Sequence, residues 1–317
     1  MRFSGRAFIN GFIRHKGWPG RIGGRRGRCD PRFLYPDGMS SPALYQPYRS
    51  VLYVPADKSR AVDKARGLPC DAVVLDLEDA VLPAQKALAR AGAAQALREG
   101  GFGKPVLLRL NGFETPYFQD DLEAALLSAP AGIVLPKAED PAAVRELHLG
   151  IPLWVMIETP LGVLRAAELA AVPGVAGLMV GANDLLLSLR ARTTPGRLPL
   201  LYALGAVVLA ARAAGVLALD AVCNDLHSGT GLESECVQGR ELGFDGKTLI
   251  HPGQIAAANR AYGVSEGEAQ AARELLHAWR EAEEQGLGAV QHAGRMTEEL
   301  HARQARATLE RWEAEQG

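Results

Sequence analysis

From Tyr48 onward, short apolar runs alternate with longer segments rich in Ala, Leu, Arg and Glu. Eight runs stand out, at 50–55, 72–77, 106–110, 132–135, 153–157, 177–180, 216–219 and 246–250. They are continuously apolar rather than alternating, the pattern of parallel strands covered on both faces. Seven segments between them, at 60–66, 83–99, 119–128, 142–149, 161–171, 200–214 and 233–242, carry apolar residues at helical spacing. Joints such as Gly67-Leu68-Pro69 and Pro173-Gly174 separate them. Eight β/α units predict an α/β fold of the TIM type, a closed (β/α)8 barrel with right-handed crossovers. A doubly wound open sheet is the alternative, but no G-x-G-x-x-G turn follows the first strand. Beyond His251-Pro252 the rhythm changes to helical segments at 253–260 and 266–285, a glycine-bearing joint at 286–296 and a polar helix from about 298 to 315. These additional C-terminal helices have no core of their own and are expected to form a lid on the barrel rim or on a neighbouring subunit. The expected organisation is a basic, disordered N-terminal extension at 1–47, a barrel at 48–262 and a helical lid at 263–317.

With 48% hydrophobic and 22% charged residues in 317, the chain can bury a barrel-sized core. A net charge of −1 gives no reason to expect nucleic acid or an anionic membrane as partner. No apolar run in the sequence approaches the roughly 18–20 residues of a membrane span. The four cysteines, Cys29, Cys70, Cys223 and Cys236, have no C-x-x-C spacing and read as free thiols in a reducing, cytoplasmic setting. Residues 1–38 hold nine Arg and Lys residues with no acid before Asp30. A transit peptide, a basic arm for nucleic acid or phosphate, and upstream sequence translated from a misassigned start all fit. Glycines interrupt any amphipathic helix, and the Ala/Arg/Leu/Gly-rich usage suits a GC-rich bacterial gene, so a true start at Met39 is favoured.

Catalytic groups of such barrels come from the C-terminal ends of the strands. Here Asp76, Glu78 and Asp79 end the second run, Arg109 and Asn111 the third, Lys137 and Glu139 the fourth, Glu158 the fifth, Asn183 and Asp184 the sixth, Asp220 the seventh, and Lys247 and His251 the eighth. Any buried strand has to stop on something polar, which explains one or two such clusters. It explains the full set poorly, because the N-terminal joints are mostly Gly and Pro. Four acids without a consistent His or Cys among them favour a hard, oxygen-loving cation. Glu158 and Asp184 are the expected Mg²⁺ ligands, with Glu78 and Asp79 hydrogen-bonded to its waters. Arg109 presents a planar fork suited to a carboxylate or a developing enolate oxygen, and equally to a salt bridge with one of the acids. A Schiff-base role is open to a lysine at position 137, but among carboxylates Lys137 stays charged and reads as an ion-pair partner.

In order, Arg49-Ser50-Val51-Leu52-Tyr53-Val54-Pro55, Leu75-Asp76-Leu77-Glu78-Asp79-Ala80-Val81, Leu108-Arg109-Leu110-Asn111, Leu135-Pro136-Lys137-Ala138-Glu139, Ile157-Glu158-Thr159-Pro160, Gly181-Ala182-Asn183-Asp184-Leu185 and above all the stretch from Gly243 through Lys247 to Ile255 resemble one family. It is the acyl-CoA lyases of the citrate lyase β-subunit type, within the aldolase and citrate lyase superfamily, and the resemblance spans about Arg49 to Arg306. It implies a barrel holding Mg²⁺ through Glu158 and Asp184, with Arg109 and Asn183 as substrate-binding residues. It implies a homotrimer or hexamer, and a CoA thioester as substrate, whose phosphates Lys58 and Arg60 are placed to meet unless they are ordinary solvated helix residues. In the family the last segment carries a Gly-x-Met-Ile-Asp motif on a lid whose Asp transfers a proton. The matching run here is Gly294-Arg295-Met296-Thr297-Glu298. Glu298 either performs that step with one more methylene, or the step is altered; alternatively it only starts the last helix. The implied reaction cleaves or forms a 3-hydroxy-3-carboxyacyl-CoA (citryl-, malyl- or citramalyl-CoA) from acetyl-CoA and a 2-oxo acid. Alternatives are a CoA-free aldolase, a malate-synthase- or thioesterase-like activity, and a non-catalytic scaffold barrel. A true citrate lyase would also need acyl-carrier and transferase subunits.

Overall fold

The computed structural model describes residues 48–147, 150–225 and 229–316, so the extension at 1–47 lies outside the described residues. Eight strands, β1 (Ser50–Pro55), β2 (Ala72–Asp76), β3 (Val106–Arg109), β4 (Gly132–Leu135), β5 (Leu153–Ile157), β6 (Val175–Val180), β7 (Leu217–Asp220) and β8 (Gly246–Leu249), close a parallel barrel in chain order. β8 pairs back onto β1, with Val51 opposite Thr248. Around it run α1 (Ser59–Arg66), α2 (Lys86–Glu99), α3 (Phe118–Ser128), α4 (Pro141–Glu146), α5 (Pro160–Leu164), α6 (Ala166–Ala170), α7 (Ala182–Leu189), α8 (Leu201–Ala214), α9 (Gly229–Leu242) and α10 (Ile255–Tyr262).

Both faces of every strand are buried, which is why the runs are continuously apolar. Val51, Val74, Leu107, Val134, Trp154, Met156, Met179 and Leu219 pack together inside the barrel. Their alternates, among them Leu52, Val73, Leu108, Ile133, Val155 and Leu178, face the helices. Trp154 fits the interior because its neighbours on β4 and β6 are glycines. A Cβ on Gly132 would sit about 3.0 Å from its indole nitrogen, and one on Gly177 would collide with its six-membered ring. Gly177→Ala is therefore expected to lower stability by about 1–3 kcal/mol, as overpacking does. An unchanged denaturation midpoint would show that the indole moves aside freely.

The helix readings need three adjustments. The segment 83–99 begins with a 3-10 turn, Pro83–Gln85, and 161–171 is two short helices broken at Arg165. α7 extends what reads in the sequence only as the start of a helix beside Asp184, and a 3-10 turn at Pro195–Leu200 lies where no helix was expected. That turn and α8 together form Pro195–Ala214, which by length and composition is apolar enough to cross a membrane, so the reading that no run comes near that length is corrected. Gly196 and Arg197, at φ 72° and 54°, break the stretch, and α8 buries Leu204, Val207 and Ala211 against the barrel.

The C-terminal segment is an arm. α11 (Glu266–Glu284) leads to β9 (Ala289–His292) and β10 (Arg295–Glu298), and α12 (Glu299–Gln316) returns. The expected joint at 286–296 is thus mostly an antiparallel hairpin, and Glu298 closes β10 instead of starting the helix. Ser265 caps α11 through a capping box with Glu268. Ala272, Leu276, Trp279, Ala302 and Ala305 form a small core between the two helices, separate from the barrel's. The arm's root lies at the N-terminal face of the barrel. There Glu315 accepts from the Val264 N–H at 3.0 Å and pairs with Arg49 at 3.3 Å, while Arg311 donates to the Tyr262 carbonyl at 2.9 Å. Glu298 is at the other end of the 18-residue α12, roughly 25 Å away at 1.5 Å rise per residue.

Candidate active site

The inward-facing positions at the C-terminal ends of β2, β3 and β5 deliver Asp76, Glu78, Arg109 and Glu158, all buried. Their depth follows from strand parity, since each sits two residues beyond an interior apolar side chain or two beyond another of the set. Asp76 takes the Arg109 fork in both arms, Nε to Oδ1 at 2.7 Å and Nη2 to Oδ2 at 2.6 Å. The remaining corner, Nη1, donates to Met156 Sδ at 3.7 Å and lies 3.0 Å from Glu78 Oε2 in a charge contact without hydrogen-bond alignment. Beneath it the guanidinium stacks on Tyr53, 4.7 Å from the ring centre. Burial alone would lower the Arg109 pKa, but Asp76 and the other acids hold it well above its ordinary value.

Lys137 follows β4 at φ 51°. Its main-chain N–H donates to Glu158 Oε1 at 2.6 Å. Its ammonium meets Glu78 Oε1 at 2.7 Å, Asp79 Oδ1 at 3.6 Å and Asp184 Oδ2 at 3.9 Å. The four predicted acids are thus brought together on one residue. Burial pushes the Glu158 pKa up to about 8, reinforced by Glu78 and Asp184 and opposed by the Lys137 N–H and Arg109. Glu78 is also raised, by burial first, against Arg109 and Lys137. Lys137 is held above the ordinary lysine value, burial being outweighed by Glu78 and the neighbouring acids.

Among the described residues no three carboxylate, imidazole or thiol groups form a finished metal cage. Mg²⁺ asks for less: one or two carboxylates, the remaining positions going to water and substrate. The fit to such an ion is visible at Gly181, where a Cβ would collide with the Glu158 carboxylate. Only glycine there leaves room for that group beside the first turn of α7, which carries Asp184.

The other predicted residues lie outside this cluster. Asn183 is exposed at the start of α7 and exchanges amide hydrogen bonds with Asn224, the shorter at 2.6 Å. Lys58, 64% exposed, pairs with Asp57 at 2.6 Å, and Arg60 is exposed beside it at the start of α1. Glu298 is exposed on the arm, its N–H donating to His301 Nδ1 at 3.0 Å. Asp220 and Lys247, counted among the strand-end groups, point the other way, into the helix layer. Lys247 Nζ is 3.1 Å from Asp220 Oδ2 and 3.1 Å from Glu235, and Arg197 meets Asp220 at 2.7 Å. Burial would raise the Asp220 pKa, but Lys247 and Arg197 hold it below the usual carboxylate range. Asp76 was counted among the strand-end groups without a role, and Tyr53 and Asn224 were not singled out from the sequence. Asp76 had a signal, an acid two residues before Glu78 on an inward-facing strand position.

A closed parallel barrel with a carboxylate-ringed mouth and an appended helical arm defines the class. Residues 49–252 match the HpcH/HpaI aldolase/citrate lyase family, and the chain belongs to it. It is 43% identical over 272 residues to a (3S)-malyl-CoA thioesterase of Cereibacter sphaeroides, covering 84% of this chain and 95% of that protein. It is 32% identical over 281 residues to the citrate lyase subunit beta of Escherichia coli, covering 84% and 93%. The crystal structure of protein CitE from Mycobacterium tuberculosis in complex with magnesium, acetoacetate and coenzyme A superposes with a TM-score of 0.74 at 32% identity, over 86% of this chain and all of that one.

Proposed function

We propose that this protein is an Mg²⁺-dependent carbon–carbon lyase acting on a 3-hydroxy-3-carboxyacyl-CoA such as malyl-CoA. The observation that carries the reading is the convergence of Glu158, Asp184, Glu78 and Asp79 at one barrel mouth beside Arg109. The magnesium, acetoacetate and coenzyme A of the CitE complex support it. Glu158 and Asp184 would hold Mg²⁺, which would supply Lewis-acid polarisation of the substrate hydroxyl and its neighbouring carboxylate. Glu78 and Asp79 accept hydrogen bonds from water and from the substrate hydroxyl. That hydroxyl passes its proton to Glu78, whose Oε2 has no hydrogen-bond partner, its oxygen becomes the carbonyl of the oxo acid, and the bond to the α-carbon breaks. The electron pair passes into the thioester enolate, whose oxygen Arg109 Nη1 stabilises. A proton delivered to the α-carbon by Glu298 completes acetyl-CoA. Asn183 offers its amide to the substrate carboxylate, and Lys58 and Arg60 meet the CoA phosphates.

Glu298 sits at the tip of an arm rooted on the face opposite the mouth, which supports a homotrimer or hexamer in which each arm serves the next barrel. Glu298→Gln is expected to lower turnover by about 10²–10³-fold, the usual contribution of a positioned acid. Mixing it with an equally inactive Glu158→Gln protein should restore part of the activity. Absence of complementation in a verified mixed oligomer would exclude service in trans.

A second reading, hydrolysis of the thioester, is favoured by the names of the 43% identical relatives. One assay separates the two. Malyl-CoA with Mg²⁺ yields glyoxylate and acetyl-CoA by cleavage, or malate and free CoA by hydrolysis. Inactivity on malyl-, citramalyl- and citryl-CoA alike would sink both.

A further inference from the structure

Lys137 reaches the acids through two chemically different arms. Its main-chain N–H is given to Glu158, and its ammonium to Glu78, Asp79 and Asp184. The residue stands at φ 51°, a conformation that glycine adopts freely and other residues rarely. Glycine would deliver the same N–H without strain, so occupation of the position by lysine points to work for the side chain. The other cation at the mouth, Arg109, has two of its three nitrogens bonded to Asp76. Its third nitrogen is shared between Glu78 at 3.0 Å and Asp79 at 3.8 Å, whereas the Lys137 ammonium is the one that also reaches Asp184. A divalent ion at Glu158 and Asp184 would arrive beside an ammonium already 3.9 Å from Asp184.

We propose that Lys137 is an internal counter-cation that keeps the acid cluster assembled before the metal arrives and yields Asp184 when a divalent ion binds there. It is a positioning residue, and the proposal rests on the magnesium reading above. Two cations compete for one set of carboxylates, and like charges at such short range repel strongly. Removing the ammonium leaves the ion a more negative site.

Titration calorimetry with MgCl₂ on the substrate-free protein at low ionic strength tests this. Lys137→Met is expected to bind Mg²⁺ about fivefold or more tightly than the parent, whereas Lys137→Arg, which keeps the charge, stays within about twofold. A merely structural role of the stem leaves Lys137→Met, which keeps an unbranched apolar stem, no tighter for Mg²⁺ than the parent. If Lys137→Met fails to fold, Lys137→Gly takes its place; it relieves the positive φ and keeps the N–H. A parent that binds Mg²⁺, with neither folded variant binding it more tightly, overturns the proposal. A parent that binds no Mg²⁺ overturns the magnesium reading itself.

Discussion

Glu158→Gln and Asp184→Asn are each expected to abolish the proposed Mg²⁺ binding and to lower turnover by at least about 10³-fold, a loss of roughly 4 kcal/mol or more of transition-state stabilisation. Both substitutions keep shape. Gln at 158 still accepts the 2.6 Å bond from the Lys137 N–H, so the mouth stays folded while one charge is lost. Asp79, with its side chain 56% exposed and meeting only Lys137 and Arg109 at 3.6 and 3.8 Å, is the contrast. Asp79→Asn should cost about tenfold at most, as expected of a group acting through water. Calorimetric titration with Mg²⁺ and steady-state kinetics on the same preparations provide the check. A Glu158 or Asp184 variant that binds the ion as tightly as the parent removes that residue from the ligand set.

With Glu158 as a ligand, as proposed, Mg²⁺ affinity is expected to rise steeply with pH between 6 and 8 and to level off above. The cause is Glu158, whose carboxyl is pushed up to about 8 by burial and by Glu78. Below that value the group is protonated and the ion has to displace the proton; above it the carboxylate is ready. Affinity should gain close to tenfold per pH unit over the window, with nearly one proton released per ion at pH 7. Calorimetry in two buffers of different ionisation enthalpy counts that proton. The sign for folding without metal is the opposite. Between its ordinary value of 4.5 and about 8, native Glu158 holds a proton that the unfolded chain has lost, so its contribution to stability falls as pH rises through that interval. A pH-independent affinity from 6 to 8 would mean that Glu158 is already ionised or is not a ligand.

The barrel was legible because both strand faces are dry. β4 and β5 fall where the apolar runs at 132–135 and 153–157 end, with no residue of difference. The acids at the mouth were legible for a related reason, each being the first ionisable group after such a run. What pattern could not show was direction. Asp220 ends β7, while Lys247 stands second in β8 and not at its end, and one step of parity turns both into the helix layer, where they pair at 3.1 Å. Nor could it show Lys137 at positive φ, because lysine carries no sign of a left-handed turn as glycine or asparagine would. The hairpin in the arm hid for the same kind of reason. Its two turn residues, Ala293 and Gly294, have φ 47° and 76°, the positive pair of a tight hairpin turn, and alanine stands where asparagine or aspartate would have announced it. α7 showed only as a helix start beside Asp184, because the apolar string Leu185-Leu186-Leu187 masks helical spacing beyond it.

The arm behaves as a lever. Its fulcrum is the contact of Glu315 with Arg49 and Val264, and its load is Glu298, roughly 25 Å out along α12. A tilt of about 10° at the fulcrum swings the load by about 4 Å, while chemistry tolerates misplacement of about 1 Å. Among the described residues the arm is held at its base, and such a lever would not hold the proposed proton donor to that tolerance. As the proposed proton donor, Glu298 would owe its precision to a surface that clamps the tip and forms the second wall of the site.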